Sequence, residues 1–348
     1  MINILFFIIS LLQMGPEEYW AARLEKQFRD IEQQVDGNLG VYVRDLSTGQ
    51  TFSYNAHREW YLSSTVKVPL AIALLQKVEQ GEMSLSDTLI LRASDYVDGA
   101  GDLIHHKPGT PFTVAALIGK MLRNSDSSAT DMLMRLIGVD AFNDQIRQHM
   151  VGEGFSPFTT LLQVRYEAYK EVHENALNLT NMDFIHLRKI YSRQARMLRL
   201  VQKMGISEDE MKAKTIEEAF DRYYAGKLNS GTLEAMGLLL ERLYHRELLS
   251  EEHTVFILDA MENITTGDRR IQAGLPQGTR FAQKTGTQID RACNVGIIFS
   301  GEGQPIVVAA CVEDYGQLRK AEEALEAVGR SLAGTFLQKA PSSASRQQ

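Results

Sequence analysis

Serine and lysine side chains stand three residues apart in the stretch WYLSSTVKVPLAIALLQ, where Ser64 precedes Lys67 at the head of an apolar helical pattern. If the helix begins near Ser64, both side chains lie on one face, within hydrogen-bonding reach. A partly buried lysine can lose its proton near neutral pH and accept the proton of a hydroxyl. An N-cap serine followed by a snorkelling lysine has the same spacing, so the pair alone leaves both interpretations open. We expect Pro69, which lacks an N–H, to loosen or kink the first turns.

Two further triplets carry groups that suit the same chemistry. The triplet SDS at 125–127 stands at a predicted loop-to-helix junction, where serine and aspartate are also good N-caps. The triplet KTG at 284–286 falls inside a predicted strand, where its glycine is disfavoured unless something approaches the backbone closely. A substrate is one candidate for that approach.

Strand patterns occur at both ends of the chain, with helical patterns between them. NLGVYVRDLSTGQTFSYNA predicts a β-hairpin, and three later strands are predicted in TRFAQKTGT, CNVGIIFSG and PIVVAACVED, the last two joined by a turn at 301–304. From 65 to about 150, apolar residues recur at the spacing of helices. We predict an α/β protein of the α+β type, in which an antiparallel sheet of N- and C-terminal strands is flanked by helices and joined to an all-helical region.

The same pattern predicts how the chain is divided. We expect an apolar N-terminal segment at 1–16, a sheet region at 17–62 and 262–338, a helical region at 63–261 with an enlarged excursion at about 151–228, and a disordered tail at 339–348. A cleft between the sheet and helical regions would collect residues that are distant in sequence. Such junctions are preferred sites for small ligands.

The overall charge argues against a nucleic-acid partner. Among 348 residues, 37 Lys and Arg oppose 44 Asp and Glu, which gives a formal charge of −7. This is the wrong sign for binding a phosphate backbone. No His/Cys cluster has the spacing of a zinc site, so we expect no metal. Cys293 and Cys311 lie on predicted neighbouring strands, but their register, and therefore a disulfide, stays open.

The apolar segment at the N-terminus, MINILFFIISLLQMGP, has the length of a signal-peptide core and is too short to span a bilayer. No Lys or Arg precedes it and no A-x-A-like site follows it, so a buried N-terminal segment is the alternative. We expect a periplasmic or secreted protein that has no stable membrane span and is monomeric.

In this order and on these elements, the S-x-x-K, SDS and KTG motifs resemble those of the penicillin-interacting serine enzymes, most closely the class A β-lactamases. The flanking segments STVKVPLAIALL and ITTGDRRIQAGLPQGTRFAQKTGT are also similar to that family, and the resemblance extends from about residue 38 to residue 337. It implies that Ser64 is acylated, that Lys67 accepts or relays its proton, and that Ser125 passes a proton to the leaving nitrogen. Asp126 would hold the loop.

The resemblance assigns the third motif to the substrate. Lys284 would lend positive charge to the proton relay and to a substrate carboxylate, while Thr285 and Thr287 would face the substrate beside Gly286. The backbone N–H groups of Ser64 and Thr287 would form an oxyanion hole for the charge that develops in the tetrahedral state. The resemblance implies no metal and no organic cofactor.

Two positions depart from the family pattern. Ser127 stands where the family usually has Asn, and its shorter hydroxyl would weaken contacts to a substrate amide. The Arg that the family often places on the strand after KTG is missing, and Cys293 lies near that position. Arg270 resembles an alternative location for this cation and is our candidate, with Arg291 as the second choice. Either could instead be a surface arginine.

The residue that would activate the deacylating water is less well defined. RYE at 165–167 has the family's R-x-E form, which makes Glu167 the candidate base, but Glu171 stands where an Asn normally helps to hold the water. The excursion is longer than is typical of the family, so Glu171 and Glu174 remain alternatives. All three could be plain solvated glutamates.

These interpretations predict a serine β-lactamase that hydrolyses the β-lactam amide through a Ser64 acyl-enzyme. The alternative is a D-Ala-D-Ala peptidase, or a related amide or ester hydrolase of the cell envelope, that acts on peptidoglycan peptides with the same acylating groups. A second alternative is a β-lactam sensor that is acylated without turnover. The Glu167 loop discriminates between them, because hydrolysis of the acyl-enzyme needs a base.

Overall fold

The computed structural model describes residues 16–299 and 305–337. Their α-helices are α1 Pro16–Val35, α2 Lys67–Glu79, α3 Val114–Arg123, α4 Ser127–Ile137, α5 Val139–Gln145, α6 Leu161–Lys170, α7 Asn181–Arg188, α8 Arg193–Met204, α9 Ile216–Ala225, α10 Leu233–Tyr244, α11 Glu251–Glu262 and α12 Leu318–Leu332. Their strands are β1 Asn38–Asp45, β2 Thr51–Tyr54, β3 Glu59–Tyr61, β4 Thr88–Ile90, β5 Pro111–Thr113, β6 Ser230–Thr232, β7 Arg280–Gln288, β8 Arg291–Phe299 and β9 Pro305–Glu313.

Five of these strands form one antiparallel sheet in the order β2-β1-β9-β8-β7. The two ends of the chain meet because β1 pairs along its whole length with β9. Helices α1 and α12 cover one face of the sheet with an apolar core, and α10 packs on the other face, whose core continues into the helical region. The predicted fold class is confirmed.

The predicted strands match the observed ones closely, and two short strand pairs were not predicted, β3 with β6 and β4 with β5. The predicted turn at 301–304, the apolar N-terminal segment and the predicted tail lie outside the described residues. Within the part of the chain that is described, no helix has the length and apolar character needed to cross a bilayer. The division of the chain into regions stays a prediction.

The backbone turns sharply just before the candidate nucleophile. Ser63 adopts a left-handed conformation with a φ of 51°, and a 3₁₀ turn over Ser63–Val66 leads into α2. Helix α2 therefore begins at Lys67 and not near Ser64. Pro69 falls in its first turn, where backbone N–H groups have no partner within the helix, so it removes no helical hydrogen bond. The disruption that we expected from Pro69 is thus avoided.

The excursion forms a helical cluster of its own. Helices α6 to α9 surround an apolar core that includes Phe184, Leu200 and Phe220. Tyr61, at the end of β3, belongs to the same core and packs against Tyr224, with ring centroids 4.7 Å apart. Because Tyr61 stands three residues before Ser64, this packing fixes the excursion beside the nucleophile segment.

Cys293 and Cys311 form a disulfide. The two residues lie directly opposite each other on β8 and β9, which settles the register that the sequence left open. Both side chains are buried in the core that the sheet shares with the helical region. The bridge therefore ties together the two strands behind β7, the strand that carries KTG.

Candidate active site

The three predicted motifs meet at one cleft of about 430 Å³ between β7 and the helical region. Its lining includes hydroxyl groups from each motif and its flank: Ser64, Ser125, Ser127, Thr285 and Thr287. Ser64 is partly exposed there, and no described residue forms a hydrogen bond with its hydroxyl. The hydroxyl is therefore accessible to a ligand in the cleft.

Gly286 lets β7 approach the nucleophile segment closely. A Cβ atom at this position would lie 2.7 Å from the Leu62 carbonyl oxygen and 3.1 Å from the Ser64 backbone nitrogen. The close approach indicated by the KTG glycine is therefore made by the chain around Ser64, which corrects the suggestion that a substrate requires it. Because β7 is an edge strand, alternate backbone N–H groups face away from β8. The N–H of Thr287 is therefore a candidate to form an oxyanion hole together with the N–H of Ser64.

Lys67 is fully buried, and its amine is held by Ser125. Its Nζ donates to the Ser125 carbonyl oxygen at 2.6 Å and lies 3.1 Å from the Ser125 Oγ. Burial, opposed by the charges of Asp126 and Asp131, lowers the pKa of Lys67 to about 7. A neutral amine has a lone pair that can accept a hydroxyl proton. Lys67 is thus able to act as a base at neutral pH.

The Ser125 hydroxyl stands between two lysines. Lys284 Nζ donates to it at 3.0 Å and to the Thr285 carbonyl oxygen at 3.0 Å. Burial, and after it the charge of Lys67, lowers the pKa of Lys284 well below its ordinary value. Two buried ammonium groups around one hydroxyl repel each other, so this pair gives up a proton more readily than solvated lysines do. Ser125 is therefore placed to relay a proton.

Asp126 joins a loop at the cleft to the start of α4. Its Oδ2 accepts hydrogen bonds from the backbone N–H groups of Asp102 and Leu103, at 2.7 and 2.9 Å, while Oδ1 caps α4 through the N–H of Ala129 at 2.8 Å. Each carboxylate oxygen thus holds a different segment. This arrangement fixes the backbone next to Ser125.

Arg270 is buried, and its guanidinium is committed to the sheet and its edge. Nη1 donates to the carbonyl oxygens of Gly286 and Cys293, both at 2.8 Å, and Nη2 donates to Thr287 Oγ1 at 2.5 Å. Since Thr287 accepts a hydrogen bond from an arginine, its own hydroxyl proton remains available to a substrate anion. Arg270 borders the cleft and can act on a substrate through Thr287.

The second arginine candidate does not reach the site. Arg291 forms an ion pair with Asp314 at 2.7 Å, lies 3.6 Å from Glu313, and stacks over the Tyr224 ring at 4.4 Å. It does not line the cleft. Arg291 therefore belongs to a network between the sheet and the excursion.

Helix α6 presents apolar side chains to the cleft. Leu161 and Val164, one turn apart, line it together with Arg165. The helix begins at Leu161, where the buried carboxylate of Asp131 accepts the N–H groups of Leu161 and Leu162 at 2.7 and 2.8 Å. Burial raises the pKa of Asp131 to about 6. This side of the cleft is thus aliphatic where α6 starts.

The structure does not bring Glu167 into the cleft with the other groups. It lies about 120° around the axis of α6 from Leu161, and its carboxylate accepts a hydrogen bond from Gln163 at 2.6 Å. The charges that influence the pKa of Lys67 do not include it. The assignment of Glu167 as the deacylating base stays a prediction, and the helical form of this segment is the reason why Glu167 points elsewhere.

The two alternative glutamates also lie away from the cleft. Glu171 is the C-cap of α6, and Glu174 forms an exposed ion pair with Lys212 at 2.9 Å. Neither lines the cleft. Among the described residues of α6 and the turn that follows it, no carboxylate borders Ser64.

Sequence reasoning missed Asp131, Leu161 and Arg188 at this site. Asp131 follows Ser127 by four residues on one helix, a spacing that places both on the same face and could have identified it. Arg188 lines the cleft from the end of α7. No sequence signal indicates this, because its position depends on how the excursion folds back.

The fold and the cluster of serines and lysines are those expected of a serine acyl-transfer enzyme. The chain matches the family model described as Beta-lactamase enzyme family over residues 23–336. Since this covers most of the sequence, the chain belongs to the β-lactamase enzyme family. The resemblance drawn from the three motifs is confirmed.

Individual relatives have low sequence identity to this chain but match most of its length. The β-lactamase of Mycobacterium tuberculosis is 26% identical over 296 residues, which cover 85% of this chain and 79% of that protein. The structure of a β-lactamase from Sphaerobacter thermophilus has a TM-score of 0.65 at 24% identity and covers 89% of this chain and 96% of its own. A mutant of PBP-A, in an acyl-enzyme complex with penicillin G, has a TM-score of 0.66 at 20% identity, with coverage of 89% and 96%. These structures share the fold.

Proposed function

We propose that this protein is a serine β-lactamase that opens the β-lactam amide through an acyl-enzyme on Ser64. One observation carries the proposal: the Ser125 hydroxyl lies 3.1 Å from the amine of Lys67 and 3.0 Å from that of Lys284, at the edge of the cleft that holds Ser64. Membership of the β-lactamase enzyme family supports it independently.

Acylation begins with the neutral amine of Lys67, which accepts the proton of Ser64 as its oxygen attacks the lactam carbonyl carbon. The carbonyl π electrons move to the oxygen, and the backbone N–H groups of Ser64 and Thr287 stabilise this oxyanion. The proton passes from Lys67 through Ser125 to the lactam nitrogen. The C–N bond then breaks and leaves an ester on Ser64.

The carboxylate of a β-lactam would bind on the β7 side of the cleft. Lys284 supplies positive charge there, and the hydroxyl of Thr287, oriented by Arg270, supplies a hydrogen-bond donor. Thr285 contributes less freely, since its hydroxyl is already paired with that of Thr266 at 2.6 Å. A carboxylate bound on the β7 side places the leaving nitrogen near Ser125.

Hydrolysis of the ester is the step for which the α6 side of the cleft is not equipped. The residues of α6 that line the cleft are Leu161, Val164 and Arg165, and none of these can activate a water molecule. This observation favours a second candidate function, a D-Ala-D-Ala peptidase or related cell-envelope hydrolase that uses the same acylating groups. In that case β-lactams would form an adduct that clears slowly.

Intact-protein mass spectrometry with benzylpenicillin tests both candidates. The proposal expects an adduct of the mass of the intact penicillin, dependent on Ser64, that appears and clears within seconds, together with turnover of a chromogenic cephalosporin. Ser64→Ala must abolish both signals, and an unchanged rate in this variant would refute the mechanism.

The Glu167→Gln variant then identifies the base. A long-lived adduct in this variant alone would show that Glu167 acts in hydrolysis despite its position. A long-lived adduct already present in the unaltered protein, without turnover of the cephalosporin, would favour the peptidase or the sensor. Cleavage of a D-Ala-D-Ala peptide would then separate these two.

Export from the cytoplasm is part of the proposal. The buried bridge between Cys293 and Cys311 suits an oxidising compartment, since disulfides form and persist there. Fractionation of cells that express the full chain tests this, with activity expected in the periplasm or the medium and not in the cytoplasm.

A further inference from the structure

A cation from the excursion lines the cleft. Arg188 is the last residue of α7, is exposed, and lines the same cleft as Ser64. Arg188 is therefore a feature of this cleft that the acylation chemistry does not use.

The guanidinium of Arg188 has no counterion in the described chain. It forms no hydrogen bond or ion pair there, and the largest charge effects on its pKa come from Arg165, Asp98 and Arg196, after burial, which lowers this pKa. Asp98 is already paired with Arg165, whose Nε lies 2.7 Å from Oδ1. The charge of Arg188 is therefore left without a carboxylate partner in the described chain.

The other cations of the cleft are engaged elsewhere. The amine of Lys284 is bonded to Ser125 and the guanidinium of Arg270 to backbone carbonyls and Thr287. Arg188 shares none of these hydrogen-bond partners.

Two further carboxylates border the cleft, and they do not neutralise Arg188. Glu322 and Asp268 line the cleft, neither forms an ion pair with Arg188, and the charge of Glu322 acts on the pKa of Arg270. An anionic part of a ligand is therefore favoured beside Arg188 over a position beside Glu322.

We propose that Arg188 binds a carboxylate carried by the acyl portion of the substrate. This inference rests on the proposed acylation of Ser64. During that reaction the leaving nitrogen must face Ser125, so the acyl substituent extends away from Ser125. The same cleft offers it an apolar wall in Leu161 and Val164 and a charged donor in Arg188.

The substrate class that follows is an acyl donor with an apolar group and a free carboxylate on its acyl side. Benzylpenicillin and its α-carboxybenzyl analogue form a matched pair, because they differ by that carboxylate alone. We expect the carboxylated penicillin to acylate the unaltered protein faster than benzylpenicillin does.

The test measures second-order acylation rate constants for both penicillins by competition with a fluorescent penicillin. In Arg188→Gln we expect the rate constant for the carboxylated penicillin to fall about tenfold, the effect of losing one charge-assisted hydrogen bond, while that for benzylpenicillin changes less than twofold. Lys189→Gln is the matched control, since it removes the same charge at the next residue, which does not line the cleft. It should leave both rate constants unchanged.

The failures of the two proposals can be distinguished. If neither penicillin acylates the unaltered protein, the proposed function fails and the Arg188 inference fails with it. If both acylate Ser64 and the ratio of their rate constants is the same in Arg188→Gln as in the unaltered protein, the Arg188 inference alone is overturned. An equal loss in Lys189→Gln would also overturn it, because the effect would then be a general one of surface charge.

Discussion

The pH dependence of acylation should report the burial of Lys67. This side chain is fully enclosed, and its pKa is lowered from 10.5 to about 7 mainly because the charged form loses its hydration. A change of this size corresponds to a penalty of about 5 kcal/mol on the ammonium relative to water. Since only the neutral amine can accept the Ser64 proton, acylation requires the form that burial favours.

The direction and size of the effect follow from this pKa. Below pH 7 the amine is protonated and acylation slows, whereas above pH 7 the neutral form dominates and the rate reaches a plateau. Between pH 8 and pH 5.5 the neutral fraction, and with it the acylation rate, should fall about thirty-fold. A solvated lysine would instead give a rate that still rises beyond pH 9.

Stopped-flow measurement of acylation by a chromogenic cephalosporin from pH 5 to pH 9 provides the assay. Lys67→Arg is the informative control, because a guanidinium keeps the positive charge but does not deprotonate, and its residual rate should lose the dependence near pH 7. A profile that is flat from pH 5.5 to pH 8, or a midpoint above pH 9, would refute the claim that burial makes Lys67 a base.

Three further predictions concern the elements that hold the site. In the unaltered protein the free energy of unfolding should rise between pH 7 and 10.5, because in this range Lys67 binds a proton in the unfolded chain but not in the folded protein. Lys67→Met should remove this rise, which denaturant titration measures. Gly286→Ala should lower acylation about a hundredfold with the fold retained by circular dichroism, since its Cβ would lie 3.1 Å from the Ser64 nitrogen and displace this oxyanion donor. Asp98→Ala should lower the free energy of unfolding by about 3 to 5 kcal/mol, because it leaves the buried guanidinium of Arg165 without its carboxylate partner. The double variant with Arg165→Ala should recover part of this loss.

The sheet and the three motifs that meet at the cleft were predictable because their signals are local. Alternating apolar residues define β1 and β7 to β9, and each strand stayed within a few residues of its predicted bounds. The exact start of α2 was not predictable in the same way. It depends on the left-handed conformation of Ser63 and on the close approach of Gly286, and both belong to the packing of β7 against this segment.

The α6 side of the cleft could not be predicted from a motif. RYE at 165–167 matches the family pattern in sequence, yet here it lies within a regular helix whose cleft-facing side chains are set by its rotation. That rotation is fixed by Asp131 at the helix start and by the Arg165–Asp98 pair. These are contacts between residues more than 25 positions apart, so no local spacing reveals them.

In the proposed reaction, acylation and hydrolysis of the acyl-enzyme therefore depend on different parts of the molecule. Lys67, Ser125 and Lys284 are buried on elements whose cores are shared by the sheet and the helical region, so their relative positions are fixed by the whole fold. The groups that would act on the acyl-enzyme come from α6 and α7, which belong to a separate apolar core. A substitution in that core can change the lifetime of the acyl-enzyme and the preference for its acyl group while leaving the rate of acylation by a simple penicillin intact. Conversely, the proton relay tolerates little change, since each of its amines depends on burial for its reactivity.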